Sequence, residues 1–404
     1  MASTTYNYRV RDGQGKLVSG TLAGDSEALV LTRLREMGYV PIKVEQKREG
    51  MGREITLRPG HVKRKDLAIF TRQFATMVNS GLPILRAMTI LANQTESKAL
   101  SKAVADVRVD VEQGSSLSAA LAKHPKAFNN LYVAMVRSGE TGGVLDAVLL
   151  RLADQIEREV ELRQTIRSAM TYPVVVVIFV TLILMAMLLF IVPQFQNIYT
   201  QLGGTLPIPT RILLAVSNGV RHLWWLVILA TIGAVFAFKR YKKTAKGRAR
   251  IDALKLKVPI FGPLFHKVAL SRFSSTLSVL LRSGVPILQS LDIVSETVNN
   301  DVLSKAVGDV QTSVKEGESI ARPLGSHAVF PPMVVQMLAV GEETGAVDTM
   351  LEKVAQFYDS EVKASVDALT SIIEPVLIAI VGACVGMAVI ALYLPMFNLI
   401  NLIK

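Results

Sequence analysis

The chain contains itself twice. Residues 78–91 read VNSGLPILRAMTIL and residues 281–294 read LRSGVPILQSLDIV, so Gly81 pairs with Gly284 at an offset of 203. The same offset pairs LSKAVADV (100–107) with LSKAVGDV (303–310), Gly114 with Gly317 and His124 with His327. One deletion near 328 changes the offset to 202, which pairs Phe128 with Phe330, Gly139-Glu140 with Gly341-Glu342, and Gly143 with Gly345. The match continues through Glu159/Glu361 into two apolar runs, pairing Pro173 with Pro375 and Pro193 with Pro395. Whatever one copy folds into, the other must fold into as well.

The apolar runs set the environment. No Asp, Glu, Lys or Arg lies between Arg167 and Arg211, and none between Glu374 and Lys404. Pro173–Pro193 is PVVVVIFVTLILMAMLLFIVP. As a helix it is about 31 Å long, the thickness of a bilayer core. A third run, Leu223–Phe238, is shorter, with Arg221, Lys239 and Arg240 placed to snorkel and Trp224 and Trp225 suited to an interface. Two copies of one orientation must both start on one side and end on the other. The chain has to return between them, and Leu223–Phe238, which has no counterpart in the repeat, is read as that return.

The formal charge of +12 sits in two places. Lys239–Lys257 holds nine basic residues and one acid, and Lys43–Lys65 eight basic residues and three acids. The first cluster directly follows the return run, which makes that end cytoplasmic, the N-terminus cytoplasmic and the C-terminus external. Lys239–Lys257 contains one aromatic, Tyr241. A nucleic-acid surface would interleave stacking rings with its cations, so no nucleic acid is expected. MASTTYNYRV at the start has no apolar core and is not read as a signal peptide.

Helical periodicity runs through each unit: Leu67, Phe70, Phe74, Met77 and Val78 form one stripe. Gly81 ends that helix and Pro83 opens the next, as Gly284 and Pro286 do in the second copy. Lys98–Gln113 follows, then a short helix capped by Ser115 or Ser116, then Asn129–Arg137. A long helix starts after Gly143 and runs toward the membrane at Pro173. Residues before 48 differ. Tyr6, Tyr8 and Val10 alternate with polar residues as in a strand, Lys16–Leu22 can return, Ser26 can cap a helix ended by Gly38, and Pro41 suits an edge strand.

The expected fold is thus mainly α. It has a ββαβ module (1–48), a basic linker (49–65), a cytoplasmic helical bundle (66–167) and a transmembrane helix (168–193). An external loop (194–222), a second transmembrane helix (223–238) and a basic cytoplasmic linker (239–267) follow. A second bundle (268–370) and a third transmembrane helix (371–400) complete it.

Reactive chemistry is sparse. Cys384 is the one cysteine, so neither an intrachain disulfide nor a cysteine zinc site can form. No phosphate loop, HExxH, GxSxG or GxGxxG occurs, the five histidines are scattered, and no cofactor or metal is expected. Glu140 and Glu342 are read as carboxylates in turns between helices, each favoured by the dipole of the helix that follows. The sharper alternative is a divalent cation or a basic partner at the same position. Asp146, Asp154, Glu157, Asp348, Glu352 and Asp359 make the long helices acidic. Such faces are ordinarily solvated, and docking of a partner is the minority reading. Gly382 and Gly386 have the spacing that lets membrane helices approach. The spans carry no interior charge, which counts against conduction.

Taken together these residues resemble the PilC/GspF family of inner-membrane platform proteins of type IV pilus assembly and type II secretion. The resemblance covers nearly the whole chain. It rests on IRSAMTYPVVVVIFVTLILMAMLLFIVP (166–193) with Tyr172-Pro173 and Pro193, the SGxP and GExxG turns of both copies, and Gly15-Lys16, Gly20 and Gly38-Tyr39-x-Pro41 near the start. Thr165 departs from the Lys, Arg or Gln usual in the family. The resemblance implies no enzymatic activity and a place in the bacterial inner membrane. It implies contacts with a hexameric assembly ATPase, with pilin or pseudopilin subunits and with other inner-membrane alignment subunits, and a homodimer. A repeat-built transporter and a cytoplasmic enzyme are the competing readings. Three uninterrupted, charge-free spans oppose the first, and the missing motifs oppose the second.

Overall fold

The computed structural model describes residues 4–11, 17–24, 27–46, 62–194 and 208–402. The chain divides into two compact units, Met1–His61 and Val62–Lys404. In the first, β1 (Thr4–Arg11), β2 (Leu17–Gly24), α1 (Glu27–Glu36) and β3 (Val40–Gln46) form an antiparallel sheet of order β2-β1-β3 with one helix. Val10, Val30 and Leu34 make its small core. Pro41, which has no N–H for a ladder, lies on an edge strand opposite Val10, where the register shifts. Residues 12–16, Ser26 and most of the first basic linker lie outside the described residues.

The second unit is helical and repeats itself. The first copy contains α2 (Arg64–Asn79), α3 (Ile84–Gln94), α4 (Lys98–Glu112), α5 (Leu117–Ala122), α6 (Asn130–Gly142) and α7 (Leu145–Ala186). After a π-helical turn at Met187–Ile191 and the described end at 194, α8 (Ile208–Lys243) and α9 (Ala245–Lys257) lead to the second copy. That copy contains α10 (Phe261–Arg282), α11 (Ile287–Thr297), α12 (Asp301–Lys315), α13 (Ala321–Gly325), α14 (Pro332–Thr344) and α15 (Val347–Leu402). Gly81 and Gly284 turn the chain with φ of 85° and 76°, which a side chain would resist. Pro83 and Pro286 stand one residue before their helices rather than in the first turn.

Equivalent aromatics pack alike in the two cores. Phe70 meets Phe128 at 6.1 Å between ring centres, and Phe273 meets Phe330 at 5.0 Å, both tilted. Tyr132, fully buried beside Phe128, is replaced by Val334 in the second copy. Thr71 Oγ1 donates to Leu67 O (2.7 Å) and lies 3.4 Å from Tyr132 Oη. Its equivalent, Ser274, faces no such hydroxyl, and its buried Oγ has no hydrogen-bond partner among the described residues.

Among the described residues two helices are long and apolar enough to cross a membrane, Leu145–Gln194 and Val347–Met387. Each continues from its bundle without a break. Their apolar segments are bare: Phe179 is 65% exposed and Ile378 65%. The core helix of a soluble protein would bury such side chains. Pro173 sits inside α7 and deprives one carbonyl of its donor without ending the helix, as membrane helices tolerate. The π turn also releases a carbonyl, and Ser217 Oγ of α8 donates to it at Leu188 O (2.5 Å).

The expected boundaries shift in three places. Helix α8 is described from Ile208, well before the run read at 223–238. The basic stretch 239–267, read as a linker, consists of the end of α8, all of α9 and the start of α10. Helix α6 continues past Arg137 to Gly142, because Gly139 lets α7 pass close beside it.

Candidate functional site

The two GExxG segments are one device built twice. Gly139 lies in the last turn of α6, where an added Cβ would stand 3.1 Å from Leu145 Cα. At Gly341 the distance to Val347 Cα would be 2.8 Å. A side chain at Gly341 would force the next helix away, and one at Gly139 would press on it. The second glycine, Gly143 or Gly345, takes φ of 69° and ends the helix. Val144 N–H and Ala346 N–H then donate back to Gly139 O (3.0 Å) and Gly341 O (2.8 Å).

The glutamate between them reaches backward along the chain. Leu117 N–H and Ser118 N–H donate to Glu140 Oε1 and Oε2 (2.5 and 2.9 Å), capping α5. Ile320 N–H and Ala321 N–H donate to Glu342 in the same way, the latter at 3.1 Å. The helix favoured by each carboxylate is therefore the short preceding one and not the following one. Neither glutamate stands in a turn, since both close their helices. With both oxygens engaged by amides, each is a charged hydrogen-bonding clasp. No cluster of three metal-binding side chains occurs among the described residues.

The acidic faces of α7 and α15 meet cations of their own chain. Arg72 of α2 holds Asp154 (2.5 Å) and Glu157 (2.6 Å) of α7. Hydrogen bonds from Arg72 push the Glu157 carboxyl below the usual glutamate range. Arg282 of α10 holds Asp348 (3.4 Å) and Glu352 (2.6 Å) of α15. Asp359 accepts from Ser271 Oγ (2.5 Å) and lies 3.8 Å from Arg158. Asp146 differs from the rest: it is exposed and makes no ion pair among the described residues. The face read as solvated, with docking as the sharper alternative, is thus largely an internal seam between antiparallel helices.

Where the two copies meet, Glu159 of α7 gathers three arginines. Arg64 donates to one oxygen, while Arg163 (3.1 Å) and Arg272 (3.5 Å) approach the other. Arg272 comes from the second copy and its side chain is 15% exposed. Burial pulls its pKa down, with Glu159 opposing. The Arg64–Glu159 pair recurs as Lys267–Glu361 (2.7 Å). Further toward the membrane, Glu161 meets Lys363 at 3.0 Å. Beyond it Thr165 and Ser168 of α7 and their equivalents Asp367 and Thr370 of α15 line one open cleft of about 750 Å³. Over this stretch the two long helices face each other with equivalent positions side by side. Gly382 and Gly386 have no neighbour within 4 Å of an added Cβ among the described residues.

Sequence reasoning missed Arg72, Arg272 and Arg282, each more than sixty residues from its acidic partner. One signal was available. A cation at 64 and 267 faces an acid at 159 and 361, so the repeat carries the pair as a pair.

The doubled architecture has a direct match. The model for type II secretion system protein F fits residues 70–193 and again 273–395, and the model for its N-terminal domain fits residues 1–45. The chain belongs to the type II secretion system protein F family. Within that family it is 44% identical over 402 residues to the type IV pilus assembly protein PilC of Thermus thermophilus, covering 98% of each chain. It is 39% identical over 404 residues to PilC of Myxococcus xanthus, covering 100% of this chain and 97% of the other. It is also 35% identical over 402 residues to the type II secretion system protein F of Pseudomonas aeruginosa, covering 98% and 99%. Each protein F repeat thus comprises one bundle together with the long helix that leaves it. Both clasps, and the Arg72 and Arg282 pairs, lie inside that matched unit.

Proposed function

We propose that the chain is the non-enzymatic inner-membrane platform of a type IV pilus assembly machine. It would couple a cytoplasmic hexameric assembly ATPase to the extraction and polymerisation of pilin subunits. The observation that carries this reading is the 44% identity, over 98% of both chains, to a type IV pilus assembly protein. The geometry suits it: each bundle is continuous with an apolar helix, and the charged groups described above clasp helices rather than line a reaction centre. On this reading α8 crosses back between the two outward helices. The N-terminal ββαβ module and both bundles are then cytoplasmic, the C-terminus is external, and the protein acts as a homodimer beside other inner-membrane alignment subunits. A second reading, the corresponding subunit of a type II secretion system, is favoured by the 35% identity to a protein of that name.

The test uses the detergent-solubilised chain and the assembly ATPase of the same organism. Co-elution with a changed rate of ATP hydrolysis is the expected result. An ATPase that stays hexameric yet neither co-elutes nor changes rate, even with the remaining inner-membrane subunits added, overturns the reading. Deleting the gene and scoring surface pili against secreted protein separates the two systems.

A further inference from the structure

Arg72, Arg272 and Arg282 are held by carboxylates of their own chain, and, among the described residues, the cations at the end of α8 are not. Lys239, Arg240, Lys242 and Lys243 at the end of α8 and Arg248 of α9 are all exposed, and none makes an ion pair among the described residues. They line a cleft of about 1010 Å³ with the turn between α11 and α12. The single acid of this stretch has been withdrawn from the surface. Asp252 is 4% exposed, accepts from Lys255 Nζ (2.7 Å) and also accepts from Asp301 N–H (3.2 Å). The acids of the opposite wall are engaged too: Asp301 by Lys305 (2.8 Å) and Glu296 by Asn130 Nδ2 (2.6 Å). Phe236, 67% exposed, stands one turn before the basic residues on the apolar part of α8.

We propose that this cleft binds the phosphodiester headgroup of an anionic phospholipid. The inference rests on α8 crossing the membrane with Lys239 at its cytoplasmic end. At that depth a headgroup phosphate meets the unpaired cations while its acyl chains lie along Phe236 and the bare apolar face before it. Unpaired basic residues beside a membrane helix attract anionic headgroups, and a three-walled cleft holds one rather than a diffuse layer. Topology alone needs only the charge. It does not need the local acid buried or the cations arranged around a cavity.

The experiment uses the full chain in neutral detergent and native mass spectrometry to count retained phosphatidylglycerol against phosphatidylcholine. One phosphatidylglycerol held in preference is expected. The triple variant Lys239→Gln/Lys243→Gln/Arg248→Gln should bind it roughly a hundredfold more weakly, by the usual contribution of each juxtamembrane cation. Lys98→Gln/Lys102→Gln/Lys126→Gln, an equal loss of charge on the first bundle, should bind as the unaltered chain does. Lys239→Arg/Lys243→Arg, which keeps the charge, should bind as well and guards against a folding defect in the glutamine variant. No preference in the unaltered chain, equal loss in the control variant, or displacement by millimolar inorganic phosphate overturns the proposal, the last by assigning the cleft to free phosphate. Failure of the underlying topology reads out separately. Lys246→Cys in a Cys384→Ser background must be labelled in inside-out but not right-side-out vesicles, and the reverse pattern overturns both.

Discussion

Glu161 and Lys363 are the same position in the two copies, and they touch. Lys363 Nζ lies 3.0 Å from a Glu161 oxygen. A residue can meet its own repeat equivalent only where the two copies present the same face to each other at the same height. The duplication therefore places α7 and α15 side by side and parallel as they reach the membrane.

Visibility is not strength, and this seam separates the two. Both members of the Glu161–Lys363 pair are more than half exposed. Glu161→Lys or Lys363→Glu alone should cost under about 0.5 kcal/mol. Glu159→Gln, by contrast, leaves the buried Arg272 without its anion and should cost about 3 kcal/mol. Denaturant unfolding of the three purified variants orders them.

The clasps should be structural and independent of metal. Glu140→Ala or Glu342→Ala frees two backbone N–H groups at a helix start and should lower stability by about 2 kcal/mol. Gln, which can accept from only one of them, should fall between. Adding EDTA should leave the melting temperature of the unaltered protein unchanged. A fall in melting temperature would return the divalent cation to consideration.

The glycines of each GExxG segment should respond in a fixed order. Gly345→Ala meets no neighbour and costs only its left-handed conformation, about 1 kcal/mol. Gly341→Ala drives a methyl to 2.8 Å from the Val347 backbone and should cost about 2–3 kcal/mol. Gly139→Ala, with its nearest contacts at 3.1 Å, should lie below Gly341→Ala. Melting curves of the three variants test the ranking.

Tyr132 gives an alkaline signature. Burial raises its pKa well above the usual tyrosine value of 10.0. The folded state thus keeps a proton that the unfolded chain releases. The associated stability is complete below about pH 10 and falls as pH rises beyond it toward the folded-state pKa. Tyr132→Phe removes only the long contact to Thr71, so stability at pH 7 should change by less than about 1 kcal/mol. The loss of stability between about pH 10 and 11 should become shallower in the variant.

Acid should loosen the seam. The folded-state pKa of Glu157 is depressed by Arg72, so its contribution is full above the ordinary glutamate range and is lost as pH falls through the lower folded value. Arg72→Gln should therefore destabilise at pH 7 and lose that effect progressively as pH is lowered below about 4. Unfolding of both proteins across the acid range checks it.

What could be read in advance was what one segment determines alone. The charge-free runs announce themselves by length, and the repeat by its constant offset. Helix α7 runs unbroken past Pro173 because an apolar setting leaves the following residues no partner for their backbone groups but the helix itself. Pairings across distance were not legible. Asp154 and Glu157 look solvated until α2 brings Arg72 against them, since a charge on a helix surface says nothing of what lies opposite. The GExxG glutamates carried the same ambiguity: a carboxylate near two helix starts cannot reveal from sequence which one it caps. The stretch 239–267 read as a linker because it is basic, yet Lys, Arg, Leu and Ala are good helix formers and two helices result.

The unbroken run Leu145–Gln194 is 50 residues long. At helical rise it is a strut of about 75 Å. Pivoted near the bundle, a tilt of roughly five degrees would sweep its far end through about 6 Å, on the order of one helical turn. Its counterpart in the second copy is tied to it by the buried cluster of Leu162, Val362, Val366 and Leu369, with Leu264 of α10. Any such swing of one strut would therefore be felt by the other at that tie, while their far ends open or close like the blades of shears.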